Sequence, residues 1–443
     1  MSNPESQRYP TLTDAGMRML RRLREHPAAP IYRNQSGNKL TPEDLAALAD
    51  YERRVLDARI GWPQEARPDW LDAFVEQTWR DVPHWHRQGE RPAEFTAIPT
   101  SSRADLAADI TAFVPDPLPL ARMIAFDTSG TTGHPLIVPS HPLVAGRYLA
   151  HHKRALARFG ITPRAGAGEV GVILLGFQLR CFTYVSVTPS MDESGLAKIN
   201  LHPDDWRNPD DRARYLDAMA PEFLAGDPIS FGELLRLPMR HRPRALLSVS
   251  MQLTAGLRAE LERRYGCPVL DLYSMNEAGP IAVFDPERGG HVLLQDRLFV
   301  ETLDTEGRPV PAGERGEITL TGGFNFCLPL LRYRTGDWAR LDLDGPEPML
   351  RELEGRAPVR FRHADGSWRN NVDVSHALAH LPLTRFTLHQ AADGSLLLRL
   401  PEGSPHASQA ASALARLLGQ LPLQTRAIDP SEGKLRQYTS ALD

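Results

Sequence analysis

An α/β fold is predicted by three features of the sequence. Residues 243–273 contain an apolar stretch, a helical stretch with apolar residues at four-residue spacing, and a second apolar stretch that ends at Tyr273. Such a strand–helix–strand unit joins two parallel strands. Helix-start signals occur at Thr41-Pro-Glu-Asp44 and again at 98–106. Residues 316–321 alternate apolar and polar side chains, as a half-buried strand does. We therefore expect mixed and parallel sheets covered by helices.

Composition limits the class of protein. The chain has 443 residues, 42% of them hydrophobic, which is enough for more than one domain. Its net charge of −4 gives no reason to expect a nucleic-acid partner. The N-terminus has no charged start followed by an apolar run, and no apolar run is long enough to cross a membrane. Three widely spaced cysteines argue against a disulfide framework and fit a reducing compartment. We predict a cytoplasmic monomer or homodimer with no membrane partner.

Three helices are predicted before residue 160. Thr41 caps the first, which continues to Val55; the second covers about 70–79, and the third covers 141–159. The segment 98–106, Ile-Pro-Thr-Ser-Ser-Arg-Ala-Asp-Leu, is a further proline-then-cap helix start. The third helix carries His151 and His152. Because adjacent helical residues point to different faces, we expect packing or solvated roles for this pair rather than a metal site.

A run of hydroxyl residues and glycines lies between two apolar stretches, 123–126 and 136–138, which read as strands. The run consists of Thr128, Ser129, Gly130, Thr131, Thr132 and Gly133. Glycines let backbone N–H groups approach an anion, and hydroxyls add donors for phosphate oxygens. The Gly-Lys-Ser/Thr of a P-loop is missing. The run therefore predicts a different phosphate-binding loop, and the alternative is a hairpin turn without a ligand.

The segment Gly166-x-Gly168-x-x-Gly171 matches the dinucleotide fingerprint in its letters. In that fingerprint the glycines follow a strand and open a helix. Here they precede the apolar stretch 172–175. We therefore interpret the segment as a loop that leads into a strand.

Two further motifs follow downstream. Tyr273-Ser-Met-Asn-Glu277 stands at the carboxyl end of a predicted parallel strand, where open α/β sheets bind ligands. The carboxylate of Glu277 suits Mg²⁺, which takes oxygen ligands and keeps phosphates and waters. The second motif, Pro329-Leu-Leu-Arg-Tyr-Arg-Thr-Gly-Asp337, ends in a carboxylate that can accept two hydrogen bonds at once. Leu353-Glu-Gly-Arg356 and Gly433-Lys434 complete the series.

In this order the motifs resemble those of the adenylate-forming superfamily, which includes acyl-CoA synthetases, luciferases and adenylation domains. The similarity is greatest to the phenylacetate–CoA ligase branch. The resemblance implies that the 128–133 loop binds the phosphates of ATP and that Glu277 binds Mg²⁺. It places Tyr273 near adenine, with Asn276 as a hydrogen-bond donor, and assigns Asp337 to the ribose hydroxyls. The same resemblance assigns Arg356 to ribose or phosphate. It makes Thr131, Glu277 and Lys434 the catalytic set.

An acyl pocket is also implied by the resemblance. Phe177 and Phe182 fall where the phenylacetate–CoA ligase branch lines that pocket with aromatics, and Val249 and Tyr273 complete it. The alternative is that both phenylalanines are ordinary core residues.

The chain departs from the pattern at several positions. His134 stands where the family usually has lysine, and residues 249–252 replace the Gly-Ala/Gly-Glu-Pro that packs on adenine. Pro358 occupies the family's hinge, and a proline fixes φ and lacks an N–H. These departures put the adenine contact and the hinge motion in doubt.

The resemblance implies two domains. The N-terminal domain, residues 1–355, binds ATP and the acid and contains a β-barrel-like subdomain; a small mobile α+β lid domain covers 356–443. The implied reaction is activation of a small-molecule carboxylic acid, most simply aromatic, to an acyl-adenylate, followed by transfer to CoA. Transfer to a carrier protein or an amine is the alternative within the class. A relative that binds a nucleotide or an acyl ligand without turnover is the alternative outside it.

Overall fold

The computed structural model describes residues 4–62, 67–127, 136–354, 359–378, 381, 383, 386–429 and 436–442. Proximity of Cα atoms divides the chain into two compact units. The larger unit contains Met1–Phe126, Val138–Phe177 and Cys181–Arg356. The smaller unit contains Asp127–Ile137, Gln178–Arg180 and Ala357–Asp443.

Helices are distributed along the whole described chain. They are α1 (Pro4–Arg8), α2 (Asp14–Glu25), α3 (Pro42–Asp57), α4 (Leu71–Asp81), α5 (Pro83–His86), α6 (Arg103–Ala108), α7 (Pro142–Ala157), α8 (Asp211–Met219), α9 (Pro228–Arg236), α10 (Ala255–Tyr265), α11 (Asn371–Leu378) and α12 (Ala407–Leu418). None of the helices in these ranges combines the length and the apolar composition needed to cross a bilayer.

Strands are interspersed with these helices up to residue 265, follow one another from residue 269 to residue 370, and are again interspersed with helices after that. They are β1 (Ser101–Ser102), β2 (Ile124–Asp127), β3 (Ile137–Ser140), β4 (Val170–Gly176), β5 (Tyr184–Thr188), β6 (Ser194–Asn200), β7 (Phe223–Gly226), β8 (Ala245–Ser248), β9 (Val269–Met275), β10 (Gly279–Asp285), β11 (Gly290–Leu293), β12 (Leu298–Leu303), β13 (Arg315–Gly322), β14 (Leu330–Asp342), β15 (Met349–Glu354), β16 (Arg360–Arg362), β17 (Trp368–Asn370), β18 (Thr387–Gln390), β19 (Leu396–Leu400), β20 (Leu423–Ala427) and β21 (Tyr438–Ser440).

One mixed sheet forms the centre of the larger unit. Its order is β12-β13-β14-β15-β11-β10-β9-β8-β7-β4-β6-β5, with β1 added beside β14. Strands β6, β4, β7, β8 and β9 are parallel, and the pairings from β9 through β12 are antiparallel. The predicted α/β class is confirmed. The predicted β-rich block after residue 281 is present and is continuous with the parallel strands.

Helices cover both faces of the parallel strands, which explains why these strands are apolar throughout. Leu246 and Val269 pack in one buried cluster with residues of α2, α8, α9 and α10. The next residue on each strand, Leu247 on β8 and Leu270 on β9, points to the opposite face and packs in another cluster with residues of α7. A parallel strand buried on both sides has no solvent face on which polar residues could alternate.

Helix boundaries follow the capping signals of the sequence. The Thr41 hydroxyl accepts from the N–H of Asp44, and the Asp44 carboxylate accepts from the N–H of Thr41 at 2.9 Å, so α3 begins where predicted. The strand–helix–strand prediction is confirmed as β8, α10 and β9, with β8 and β9 parallel. The glycine-rich segment 166–171 leads into β4 and opens no helix, as interpreted.

The smaller unit contains a four-stranded sheet in the order β20-β19-β18-β21. Strands β18 and β19 are antiparallel, and both outer pairings are parallel. Leu414 and Leu418 of α12 pack in one buried cluster with Leu388 and Leu398 of this sheet. Asp365-Gly366 is a favourable turn pair from which the sequence predicts a hairpin, and β16 and β17 form that hairpin.

A neutral histidine is built into the core of the larger unit. His151 is fully buried on α7, where the hydroxyl of Tyr51 lies 2.8 Å from Nε2 and the carbonyl of Leu294 lies 3.3 Å from Nδ1. Because a carbonyl can only accept, Nδ1 carries the proton and Nε2 accepts from the hydroxyl. Burial lowers the pKa of His151 to about 3. The expected packing role is confirmed for this residue.

We expect acid to destabilise the protein through His151. Its folded pKa lies below its unfolded value of 6.5, so the unfolded state takes up a proton first as pH falls. The contribution of the neutral His151 to the free energy of unfolding is fully present above pH 6.5 and is lost as the pH falls toward 3. Between pH 7.5 and pH 5 this loss amounts to about 2 kcal/mol. Urea unfolding of wild type and His151→Phe at both pH values measures this difference.

The variant is expected to be less stable at both pH values, because Tyr51 and Leu294 lose a partner, but to change less between them. The control is His86→Asn, which alters a partly exposed imidazole and keeps the wild-type pH difference. An unchanged pH difference in His151→Phe would show that this imidazole is protonated in the folded state.

Candidate active site

Tyr273 and Glu277 lie at the carboxyl end of β9, where the chain leaves the parallel part of the sheet. Residues 276–278 turn from β9 into the antiparallel strand β10. The ends of β7 and β8 lie beside this turn, because parallel strands end at the same edge. Tyr273 is buried and Asn276 is exposed. The predicted residues therefore occupy the edge at which open α/β sheets bind ligands.

Glu277 is a buried carboxylate with one side engaged. Nη1 of Arg103 donates to its Oε1 at 2.7 Å, and the hydroxyl of Tyr333 donates to the same oxygen at 3.3 Å. Removing a carboxylate from water is costly unless donors replace the lost hydration. Within the described residues, Oε2 has no hydrogen-bond partner. The site thus holds Glu277 in place through one oxygen and leaves the other for a further ligand.

Local structure explains how Arg103 reaches Glu277. Strand β1 pairs in parallel with β14, with Ser101 opposite Tyr333. Helix α6 begins at the next residue after β1, and the N–H and hydroxyl of Ser102 donate to Asp105 at 2.8 and 2.7 Å. Arg103 is therefore held at a helix start next to Tyr333. The predicted helix start at 98–106 is confirmed, and the functional position of its arginine was missed.

Asp337 projects from a bulge in β14. Its partner strand β13 places Glu317 opposite Trp338 and Thr319 opposite Arg334, so that 335–337 face a single residue. Such a bulge re-aims a side chain. The hydroxyl of Tyr273 donates to Oδ2 of Asp337 at 3.0 Å. Two predicted nucleotide-binding residues from distant motifs are therefore in direct contact.

Glu317 holds this bulge. Its Oε1 accepts from the N–H of Gly336 at 2.9 Å, and its Oε2 accepts from Nε of Arg334 at 2.8 Å. Gly336 has φ +78°, a conformation that strains any residue with a Cβ. The hydroxyl of Thr335 donates to the carbonyl of Ile318 at 2.9 Å. The Arg-Thr-Gly part of the second motif therefore shapes the backbone that carries Asp337.

The first arginine of the same motif is structural. Arg332 is 1% exposed, and its Nε donates to Oε1 of Glu301 at 2.9 Å. Its Nη1 donates to the carbonyls of Thr96 and Ile98 at 2.8 and 2.7 Å. Burial raises the pKa of Glu301, against the lowering effect of Arg332. This buried pair fixes β14 against β12 and against the segment that leads into β1.

Parts of the chain are similar in sequence to known proteins. No protein-family model matches it. It is 33% identical over 105 residues to the phenylacetate-coenzyme A ligase of Escherichia coli K12, a match that covers 23% of this chain and 24% of that ligase. It is 25% identical over 332 residues to pyochelin synthetase PchF of Pseudomonas aeruginosa, covering 67% of this chain and 17% of the synthetase. The chain thus spans about a quarter or less of the length of these curated relatives.

A solved structure extends the likeness to the whole fold. A 2-hydroxyisobutyryl-CoA ligase in complex with 2-HIB-AMP and CoA superimposes with a TM-score of 0.54 at 18% identity, covering 91% of each chain. At this identity the likeness shows the fold. The chain therefore has the fold of this CoA ligase, and part of its sequence is similar to phenylacetate-coenzyme A ligases.

The donor set expected for Mg²⁺ in an adenylate-forming site can be tested on Glu277. The described residues contain no group of three or more His, Cys, Asp or Glu side chains that would enclose a metal. One carboxylate nevertheless suffices for Mg²⁺, which is commonly held by one or two carboxylates together with nucleotide phosphates. Because Oε2 has no partner among the described residues, Glu277 fits this role.

The residues predicted for the acyl pocket differ in exposure. Phe177 is partly buried, packs against the main core cluster, and has its ring 5.8 Å from that of His202. Phe182 is 53% exposed, so it is not an ordinary core aromatic. Val249 is half-buried at the end of β8 and packs against the α7 side of the sheet. Their assignment to a substrate pocket stays a prediction.

Several predicted residues lie outside the described part of the chain, and their roles stay predictions. They are Thr128, Ser129, Gly130, Thr131, Thr132, Gly133, His134, Arg356, Pro358 and Lys434. The apolar stretches on either side of the loop are the paired strands β2 and β3, as predicted.

Sequence reasoning also missed Tyr333 and Ser248. Tyr333 stands inside a recognised motif, and its alternation with Arg332 and Arg334 could have indicated a separate role. Ser248 is fully buried at the end of β8, and its Oγ has no hydrogen-bond partner among the described residues. Only the strand register shows that it is paired with Asp271, two residues before Tyr273 on β9.

We expect Glu317→Gln to loosen the bulge that carries Asp337. The variant breaks a partly buried ion pair with Arg334, whose side chain is 25% exposed, so the expected loss of stability is about 1–3 kcal/mol. Urea unfolding followed by circular dichroism measures the loss. The control is Glu314→Gln, a fully exposed glutamate nearby on the chain, which should change stability little. Equal losses in the two variants would contradict the role given to Glu317.

Proposed function

We propose that this chain activates a carboxylic acid with ATP and transfers the acyl group to a thiol, most simply that of CoA. The observation that supports this most is the contact between the Tyr273–Glu277 and Arg332–Asp337 motifs through two hydrogen bonds. The motifs lie more than fifty residues apart in the sequence. Their convergence at the carboxyl edge of the sheet is what a nucleotide-binding site in this fold requires.

The nucleoside would be held by Asp337 and Tyr273. An ionised carboxylate can accept from both ribose hydroxyls, and the Tyr273 hydroxyl orients Asp337 from one side. The aromatic ring of Tyr273 offers a face for adenine. The 128–133 loop is proposed for the phosphates, with Asn276 and Arg356 as further donors to the nucleotide.

The chemical step joins the acid to the α-phosphate. A carboxylate oxygen of the substrate forms a bond to the α-phosphorus, and the bond from that phosphorus to the oxygen bridging to the β-phosphate breaks. Pyrophosphate leaves with that electron pair. Lys434 and Thr131 would stabilise the charge that develops on the phosphoryl oxygens. Mg²⁺ supplies neutralisation of the pyrophosphate charge when bound.

Glu277 would hold Mg²⁺ through Oε2 while Arg103 and Tyr333 keep its other oxygen fixed. In the second step the thiolate of the acceptor attacks the acyl carbon, and AMP leaves with the carboxylate oxygen that had bridged to phosphorus. We propose an aromatic acid as substrate, because Phe182 presents an exposed ring 5.6 Å from that of Tyr184, and apolar rings of this kind favour a planar apolar body.

We expect acid-dependent exchange of pyrophosphate into ATP without CoA, measured across a panel of aryl and alkyl acids. Exchange should fall about a thousandfold in Lys434→Ala, since the lysine acts on the transition state. The control is Arg426→Ala, which removes an exposed cation from the same unit and should leave exchange unchanged. Addition of CoA should then consume the acyl-adenylate.

Two other results of the exchange assay would favour the alternative functions. Exchange with no CoA-dependent thioester would indicate transfer to a carrier protein or an amine. Measurable ATP binding with no exchange for any acid would contradict the proposal and favour a non-catalytic binder.

We expect Asp337→Asn to weaken ATP binding about tenfold to a hundredfold. The substitution replaces a carboxylate oxygen, which can accept a charge-assisted hydrogen bond, by an amide NH2 group, which can only donate. Equilibrium dialysis with ATP measures the affinity. Tyr273→Phe, which keeps the carboxylate and the ring and removes only the hydroxyl, should have a smaller effect. If both variants bound ATP as the wild type does, Asp337 would not contact the nucleotide.

A further inference from the structure

A second cleft of about 380 Å³ lies in the larger unit, and none of the predicted site residues lines it. It is bounded by α3, α4, α7 and the segments 295–297 and 323–326. Its floor contains the buried side chains of Tyr51, Val82 and Gln295, and its mouth contains the exposed Arg54 and Arg297. Its volume is in the lower part of the range of small-molecule sites, about 300–1,000 Å³.

Arg147 lines this cleft without a counter-ion. Its Nη1 donates to the carbonyl of Phe324 at 2.9 Å, and its buried Nε has no acceptor among the described residues. Its guanidinium lies over the rings of Tyr51 and Phe326, 4.7 and 5.3 Å from their centroids. The rings attract a cation but leave its N–H groups unbonded. A partly desolvated cation of this kind calls for an anion.

The acidic residues of the cleft do not supply that anion. Asp296 accepts from Nη1 of Arg54 at 3.0 Å, and Asp81 accepts from Nε of Arg80 at 2.8 Å. In the described part of the chain no ion pair joins Arg147 to a carboxylate. The positive charge of Arg147 is therefore available to a ligand in the cleft.

Gln295 adds an unpaired acceptor. It is 2% exposed, and its Nε2 donates to the carbonyls of Ala278 and Pro280, both at 2.7 Å. These two bonds fix the amide orientation, and Oε1 is left buried without a donor among the described residues. Such an oxygen is costly unless a ligand or a water donates to it. The cleft thus offers a cation, an acceptor and aromatic walls.

We propose that this cleft is a second ligand site for a small aromatic carboxylic acid that bears a hydroxyl or amino group. The carboxylate would bind Arg147, the hydroxyl or amino group would donate to Gln295, and the ring would pack against Tyr51 and Phe326. Gln295 also donates a hydrogen bond to the carbonyl of Ala278, the residue directly after Glu277. A ligand bound in the cleft would therefore change the position of the turn that carries the Glu277 carboxylate. The site stands independently of the proposed enzymatic activity.

Photolabelling with 4-benzoylbenzoate, followed by peptide mapping, tests the proposal on the full chain. We expect labelled peptides from 48–54 or 323–329. The neutral probe 4-(hydroxymethyl)benzophenone should label these peptides at least about tenfold less, as loss of a charge-assisted hydrogen bond predicts. 4-Hydroxybenzoate should suppress labelling at a lower concentration than benzoate, and both should act at lower concentrations than 4-hydroxybenzyl alcohol.

Variants separate this site from the proposed active site. Arg147→Met should reduce labelling of the cleft peptides at least about tenfold. The matched control is Arg154→Met, which removes an arginine of the same helix that binds the carbonyls of Val55 and Ala58 and does not line the cleft. Phe182→Ala should leave labelling of the cleft unchanged.

Labelling that persists in Arg147→Met, that is equal for the anionic and neutral probes, or that maps to 177–184 instead would overturn the proposal. The comparison of anionic and neutral probes uses wild-type protein, so it decides the question even if Arg147→Met does not fold. Labelling of the cleft without pyrophosphate exchange would contradict only the proposed enzymatic activity. Exchange without labelling of the cleft would contradict only the second ligand site.

Discussion

A buried ion pair between Arg332 and Glu301 is the constraint on which the candidate site depends. Both side chains are almost completely removed from water, and neither would be tolerated there without the other. Arg332 also binds two carbonyls of the segment that leads into β1. The pair therefore fixes the position of β14 relative to β12 and of β1 beside β14. Tyr333 and Asp337, which contact Glu277 and Tyr273, both lie on this strand.

Successive side chains of β14 serve different neighbours because they alternate across the sheet. Tyr333 reaches Glu277, and Asp337, displaced by the bulge at 335–337, reaches Tyr273. The turn that carries Glu277 is closed by Gly279, which has φ +72° and whose Cβ, if present, would lie 2.4 Å from the ring of Phe324. A residue with a Cβ at position 279 would therefore force Phe324 or the turn to move.

The second cleft shows how a turn can be shared by two sites. Gln295 binds the carbonyls on either side of Gly279 and also lines the cleft that holds Arg147. We propose a ligand for this cleft because the Nε of Arg147 and the Oε1 of Gln295 are buried without hydrogen-bond partners among the described residues. The cleft is also lined by the neutral His151, whose hydrogen bonds join α3, α7 and the segment before Gln295.

Local signals in the sequence determined much of the architecture. The capping residues of α3, the helix start at 98–106, the strand–helix–strand unit at 243–273 and the hairpin at Asp365-Gly366 all depend on residues a few positions apart, so the sequence predicts them directly. The motifs also predicted that Tyr273, Glu277 and Asp337 belong to one site, and the structure brings Tyr273 into contact with Asp337. Tertiary structure alone decided that Arg103 and Tyr333 hold Glu277, and that Arg147 and Gln295 share a cleft. These groups are brought together by sheet register and helix packing across long separations in the chain, and no short-range pattern encodes such distances.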